Sequence, residues 1–155
     1  MEDVEFLSII EHTLLKPEAT ATQIRILCQE AVENRFGAVC VLPVWVRLAA
    51  DLLKRTPVQV CTVVGFPLGG NTTRVKVLEA AQAVADGARE IDLVINLGAL
   101  KSGADEQVRQ DIRAVVEVVR NFKVSKKNNA DRPAGFGLEA VNTNAAKDST
   151  KPITV

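Results

Sequence analysis

A single histidine, His12, stands among the 155 residues, and no Cys-x-x-Cys pair accompanies it. The usual spacings of a metal site are therefore missing, and nothing around His12 makes it the base of a hydrolase triad. Cysteines are few and odd in number: Cys28, Cys40 and Cys61 lie far apart inside apolar segments. They read as reduced thiols packed like small hydrophobes, which suits a cytoplasmic protein. Net charge is absent, since 19 basic and 19 acidic residues cancel. That leaves no electrostatic case for nucleic acid or an anionic membrane as a partner. No apolar run nears the length of a membrane span, and Met1-Glu-Asp-Val-Glu-Phe6 lacks the basic start and apolar stretch of a signal peptide. Gly-x-Gly-x-x-Gly and the Walker pattern are missing too, which argues against a nucleotide site of either type.

What is present is organised around Gly87-Ala-Arg-Glu-Ile-Asp-Leu-Val-Ile-Asn96, a strand-like run of branched apolar residues with one carboxylate, Asp92, set into it. Alternation puts Ile91, Leu93 and Ile95 on one face and Asp92, Val94 and Asn96 on the other. A strand so apolar on both faces belongs in a parallel sheet covered by helices, where a carboxylate needs partners. Asp92 is either a structural aspartate or a proton-transfer group.

The rest of the chain alternates strands with helices. Residues 9 to 17 make a short strand stopped by Pro17, and Thr20-Ala-Thr-Gln23 has capping-box spacing ahead of Ile24, Leu27, Cys28 and Ala31 at helical intervals. Phe36 to Leu42 is a second strand. Pro43 starts a helix with Trp45, Leu48, Ala49 and Leu52 as its stripe. Val58 to Gly65 is a third strand, ending in Gly65-Phe-Pro-Leu-Gly-Gly-Asn-Thr-Thr73, a loop whose backbone could approach a phosphate or merely turn the chain. A helix lined by Val77, Ala80, Ala81 and Val84 closes at Gly87. After the Asp92 strand and a loop at 98 to 103 comes a fourth long helix with the stripe Val108, Ile112, Val115, Val116 and Val119. Four such units argue a parallel sheet of right-handed βαβ crossovers, with ligands bound at the strands' carboxyl ends. Those ends carry Thr13, Cys40, the Gly65 loop, and Asp92 with Asn96.

From Asn121 the chain turns polar and loses its period. The expected organisation is a domain over 1–120 and a disordered tail over 121–155, where sparse lysines lack the interleaved aromatics of a nucleic-acid arm.

Five ordered segments carry a family resemblance: His-Thr-Leu-Leu-Lys-Pro at 12–17, Ala-Val-Cys-Val at 38–41, Val-Val-Gly-Phe-Pro-Leu-Gly at 63–69 with Asn-Thr-Thr at 71–73, Glu-Ile-Asp-Leu-Val-Ile-Asn at 90–96 and Gly-Ala-Leu-Lys-Ser-Gly at 98–103. Together they resemble the deoxyribose-phosphate aldolases over roughly the first 120 residues. That resemblance implies a (β/α)8 barrel lyase of deoxyribonucleotide catabolism. It would split 2-deoxyribose 5-phosphate into acetaldehyde and glyceraldehyde 3-phosphate through a lysine Schiff base, with no metal or other cofactor. It also implies that Asp92 works in the proton relay at the carbon beside the imine and that Thr13 and Cys40 line the substrate pocket. Glu11 stands where the family has aspartate, as a possible relay member. The family's Schiff-base lysine lies on the sixth strand, in a Lys-Thr-Ser-Thr-Gly context that this chain lacks; Lys147, in Ala146-Lys-Asp-Ser-Thr, matches it only loosely. The fold expected is thus the first four βα units of a barrel, incomplete and inactive alone. Two other readings stand beside it: a non-catalytic half-barrel that pairs with itself or with a full-length subunit, and a flavodoxin-like phosphate binder using the loop at 65 to 73.

Overall fold

A computed structural model describes residues 6–128, with side chains as far as Phe122. Four parallel strands form one sheet in the order β1-β2-β3-β4: β1 (Glu11–Leu14), β2 (Ala38–Val41), β3 (Gln59–Val64) and β4 (Glu90–Leu93). Sequential order is that of a barrel segment. A flavodoxin-like sheet would instead place β1 between β2 and β3, so that alternative falls away as a fold.

Helix α1 (Ala21–Glu33) begins with the expected capping box, in which the Thr20 hydroxyl accepts from the Gln23 amide and the Gln23 side chain accepts from the Thr20 amide. Its buried face is Ile24, Leu27, Cys28 and Ala31, as the spacing requires. Pro43–Trp45 is a turn of 3-10 helix that runs into α2 (Val46–Leu53). That opening turn, wound tighter than an α-helix, rotates the expected stripe. Val46, Ala49 and Leu53 are buried, Trp45 and Leu48 pack partly against the core, and Leu52 faces outward. Helix α3 (Thr73–Asp86) ends at Gly87, whose φ of 119° is the left-handed cap that glycine accepts without strain. The stretch at 98 to 103 is only partly a loop, because Leu97–Lys101 forms the short helix α4, capped by the Asn96 side chain on the Ala99 amide.

Helix α5 (Asp105–Asn128) corrects two expectations. It runs on past Arg120, so the ordered chain does not end where the composition changes. Its buried residues also include Asp111, beside Val108 and Val115, while Ile112 and Val116 are each 38% exposed. The remainder of the expected tail, 129–155, with Lys147, lies outside the described residues.

The helices pack on one side of the sheet, and a smaller cluster of Cys40, Cys61 and Val63 with Leu15 and Leu42 lies on the other. Val39, Val41 and Val60 join Ile24, Leu27, Ala31, Val46, Ala49 and Leu53 in the main core, and Val64 packs with Ala80 and Val115 in a second cluster. Between α3 and α5 lies a buried ion pair: the fully buried Lys76 ammonium donates to Asp111 Oδ2. Asp111 Oδ1 has no hydrogen-bond partner among the described residues.

Candidate functional site

The face of the sheet turned away from the helices is built by alternation along the four strands. It receives Glu11 and Thr13 from β1, Cys40 from β2, Cys61 and Val63 from β3, and Glu90 and Asp92 from β4. Parallel register sets Thr13 beside Cys40, Cys40 beside Cys61, Cys61 beside Glu90 and Val63 beside Asp92. In a flat sheet β1 and β4 would lie about 14 Å apart, three interstrand steps. Yet one atom each from Glu11, Cys40, Cys61 and Asp92 lie within 4.8 Å of one another. The sheet is therefore curled like a barrel wall, and its concave side gathers polar atoms from all four strands.

Two sides of this cluster differ. Cys40 and Cys61 are buried at its back, whereas Glu11 and Asp92 are open to solvent at the front. Asp92 thus does not sit between two helical layers, as an all-round buried strand would require; it projects into an open concavity. Cys61 hydrogen-bonds Cys40. That contact lowers the Cys40 thiol, whereas the same contact, followed by burial, drives the Cys61 thiol far above its ordinary value. The Cys61 thiol donates to the Thr62 carbonyl oxygen, 4.0 Å away. Cys28, in the helical core, is pushed up to about 11 by burial and is chemically inert.

Glu11 is held above its ordinary 4.5, first by the surrounding protein, then by a hydrogen bond with Glu90 and the charges of Asp92 and Glu90. Ionising Glu11 in the folded state therefore works against folding. Below the unfolded value the carboxyl is protonated in both states and contributes nothing; above the folded value the native chain carries the repulsion. Glu11→Gln is expected to raise the melting temperature near pH 7 and to leave it unchanged near pH 3. The gain should be under about 1 kcal/mol, since solvent reaches the group. Thermal melts at the two pH values check this, and a stabilisation that persisted at pH 3 would mean the charge is not its source.

Glu11, Thr13, Cys40 and Asp92, named from the sequence, thus share one face. His12 does not: its Nε2 lies 2.7 Å from Glu30 and its ring packs on Phe36, on the opposite side of β1. Cys61 and Glu90 complete the cluster and were not singled out in the sequence. Glu90 was within reach, being two residues before Asp92 on the same strand. Asn96 serves as the cap of α4.

A curled parallel βα sheet with strands in sequential order defines a segment of a TIM-type barrel. The comparisons make this specific. The family model DeoC, "DeoC/LacD family aldolase", matches residues 7–124, and the chain belongs to that family. The deoxyribose-phosphate aldolase of Geobacillus sp. (strain WCH70) is 56% identical over 118 residues, 76% of this chain and 53% of that protein. That of Natranaerobius thermophilus is 57% identical over 112 residues, 72% of this chain and 51% of its own. Among solved structures, the deoxyribose phosphate aldolase from Aeropyrum pernix, described as a unique tetramer, matches with a TM-score of 0.71 and 31% identity, covering 78% of this chain and 50% of that one. The chain spans about half the length of the curated relatives it matches. Among the described residues no helix is long and apolar enough to cross a membrane.

Proposed function

We propose that the chain is the amino-terminal half of a deoxyribose-phosphate aldolase barrel, supplying the proton relay and one wall of the pocket but not the Schiff-base nucleophile. The observation that carries this is the convergence of Asp92 and Glu11 with Cys40 on the concave face of the sheet, the face that a closed barrel turns to its interior. Asp92, open to solvent, can pass a proton through water to and from the carbon beside an imine, a task that needs a positioned carboxylate. Thr13 and Cys40, adjacent in register, form pocket wall for a small phosphorylated sugar. No lysine lies on any of the four strands. Lys16 is in the loop after β1, Lys54 and Lys101 are exposed on or beside helices, and Lys76 is engaged by Asp111.

The outermost strands β1 and β4 and the exposed Ile112–Val116 stripe of α5 favour association with a complementary half. In a closed barrel a fifth strand pairs with β4 and the next helix covers that stripe. The edges of β1 and β4, unpaired among the described residues, equally support self-association of the chain in cytoplasm-like, reducing conditions.

Mixing the chain with the carboxyl-terminal half of the Geobacillus relative is the test, read as cleavage of 2-deoxyribose 5-phosphate. The mixture should turn over, and Asp92→Asn in this chain should lower the rate by about 10²–10⁴, the range of general acid–base help. The chain alone, treated with acetaldehyde and borohydride, should show no selectively labelled lysine in peptide mass mapping. A single lysine labelled preferentially, with turnover by the chain alone, would overturn this division of roles.

A further inference from the structure

We propose that Glu11, Cys40, Cys61 and Asp92 form a binding site for a thiolate-seeking divalent cation of the zinc class. Each of the four successive strands contributes one donor, and the four donor atoms lie within 4.8 Å of one another. Bond lengths of about 2.3 Å to sulfur and about 2.0–2.2 Å to oxygen set the edges of a tetrahedral site at roughly 3.3–3.8 Å. The cluster therefore needs to contract by only about 1 Å. The two carboxylates can supply that movement: Glu11 and Asp92 are exposed and can rotate, while the buried Cys40 and Cys61 make a fixed back wall.

Charge on this face points the same way. Glu90 stands in register with Cys61, so three carboxylates crowd one concavity with no lysine or arginine on any of the four strands. A divalent cation relieves that crowding. Two sulfur donors select against magnesium and calcium, which take oxygen ligands, and a four-donor S2O2 set suits zinc. The cation would occupy the carboxylate of Asp92, so it acts as an occupant of the face and an obstacle to proton transfer there.

The test is direct binding to the reduced, full chain and needs no turnover. Cobalt(II) titration should produce the near-ultraviolet thiolate-to-metal band of a four-coordinate site, and zinc should abolish it at one equivalent per chain. Glu11→Gln and Asp92→Asn change exposed side chains that the fold tolerates. Each should weaken zinc binding by more than about tenfold, the least that loss of even an outer partner of a ligand costs. Cys28→Ala should bind as the native chain does. The Cys40→Ala/Cys61→Ala variant should lose the band while keeping its far-ultraviolet dichroism; if it fails to fold, the two carboxylate variants decide. Absence of a thiolate band in the native chain, or zinc binding unchanged in both carboxylate variants, would overturn the assignment.

Discussion

Asp111→Ala is expected to cost the chain about 3–5 kcal/mol of stability, the penalty for leaving a buried charge without its partner. Lys76 is wholly enclosed between α3 and α5, and its ammonium has Asp111 as its carboxylate partner. Removing that carboxylate strands a buried ammonium with no other hydrogen-bond partner among the described residues. For a domain whose whole stability is about 5–15 kcal/mol, such a loss brings it near unfolding at ambient temperature. The pair itself need not stabilise the fold, because desolvating two charges offsets most of their attraction. Lys76→Met with Asp111→Leu should therefore recover most of what Asp111→Ala loses. Urea midpoints of the native chain, the single variant and the double variant measure both effects. A single variant within about 0.5 kcal/mol of native, the range of ordinary surface changes, would show that Lys76 reaches solvent after all.

Gly69→Ala should be nearly as damaging, and Gly70→Ala next to it harmless. Gly69 has a φ of 68°, and a methyl group added there would meet the Ile95 carbonyl oxygen at 2.0 Å. Backbone cannot swing aside as a side chain can, so the loop after β3 would have to leave the chain that follows β4. The left-handed conformation alone costs an alanine about 1–2 kcal/mol, and displacement of the loop adds to it. At Gly70 an added methyl group meets nothing within 4 Å, and its change should fall within about 0.5 kcal/mol. The consequence extends to the site, because this loop forms the rim beside the strand that carries Asp92. It is held at its start by the Gly65 amide on Glu79, 2.8 Å away, and in its middle by the Gly69 amide on the Gly65 carbonyl, also 2.8 Å away. Chemical denaturation of the two alanine variants separates them, and equal stabilities would mean the loop does not pack against Ile95.

The helix starts and one helix end were legible because their signals are local. Thr20 and Gln23 sit three residues apart and cap each other, and Gly87 takes the left-handed turn that its lack of a Cβ permits. The four strands were legible as apolar runs, and with Asp92 came the face that matters. Helix orientation was less so. Periodicity marked Ile112 and Val116 for burial, but a barrel helix divides its apolar surface between its own sheet and two neighbouring helices, and among the described residues nothing covers these two fully. Lys76 and Asp111 were passed over because each reads as polar surface alone, and only packing of α3 on α5 makes them a pair. The meeting of Glu11, Cys40, Cys61 and Asp92 is likewise a tertiary fact. The amino-acid order by itself determined which residues point to the concave face, through the two-residue repeat of each strand. Only the curl of the sheet decided that β1 and β4, separated by nearly 80 residues of chain, bring their carboxylates together, because curvature arises from strand twist and helix packing and leaves no local mark on the sequence.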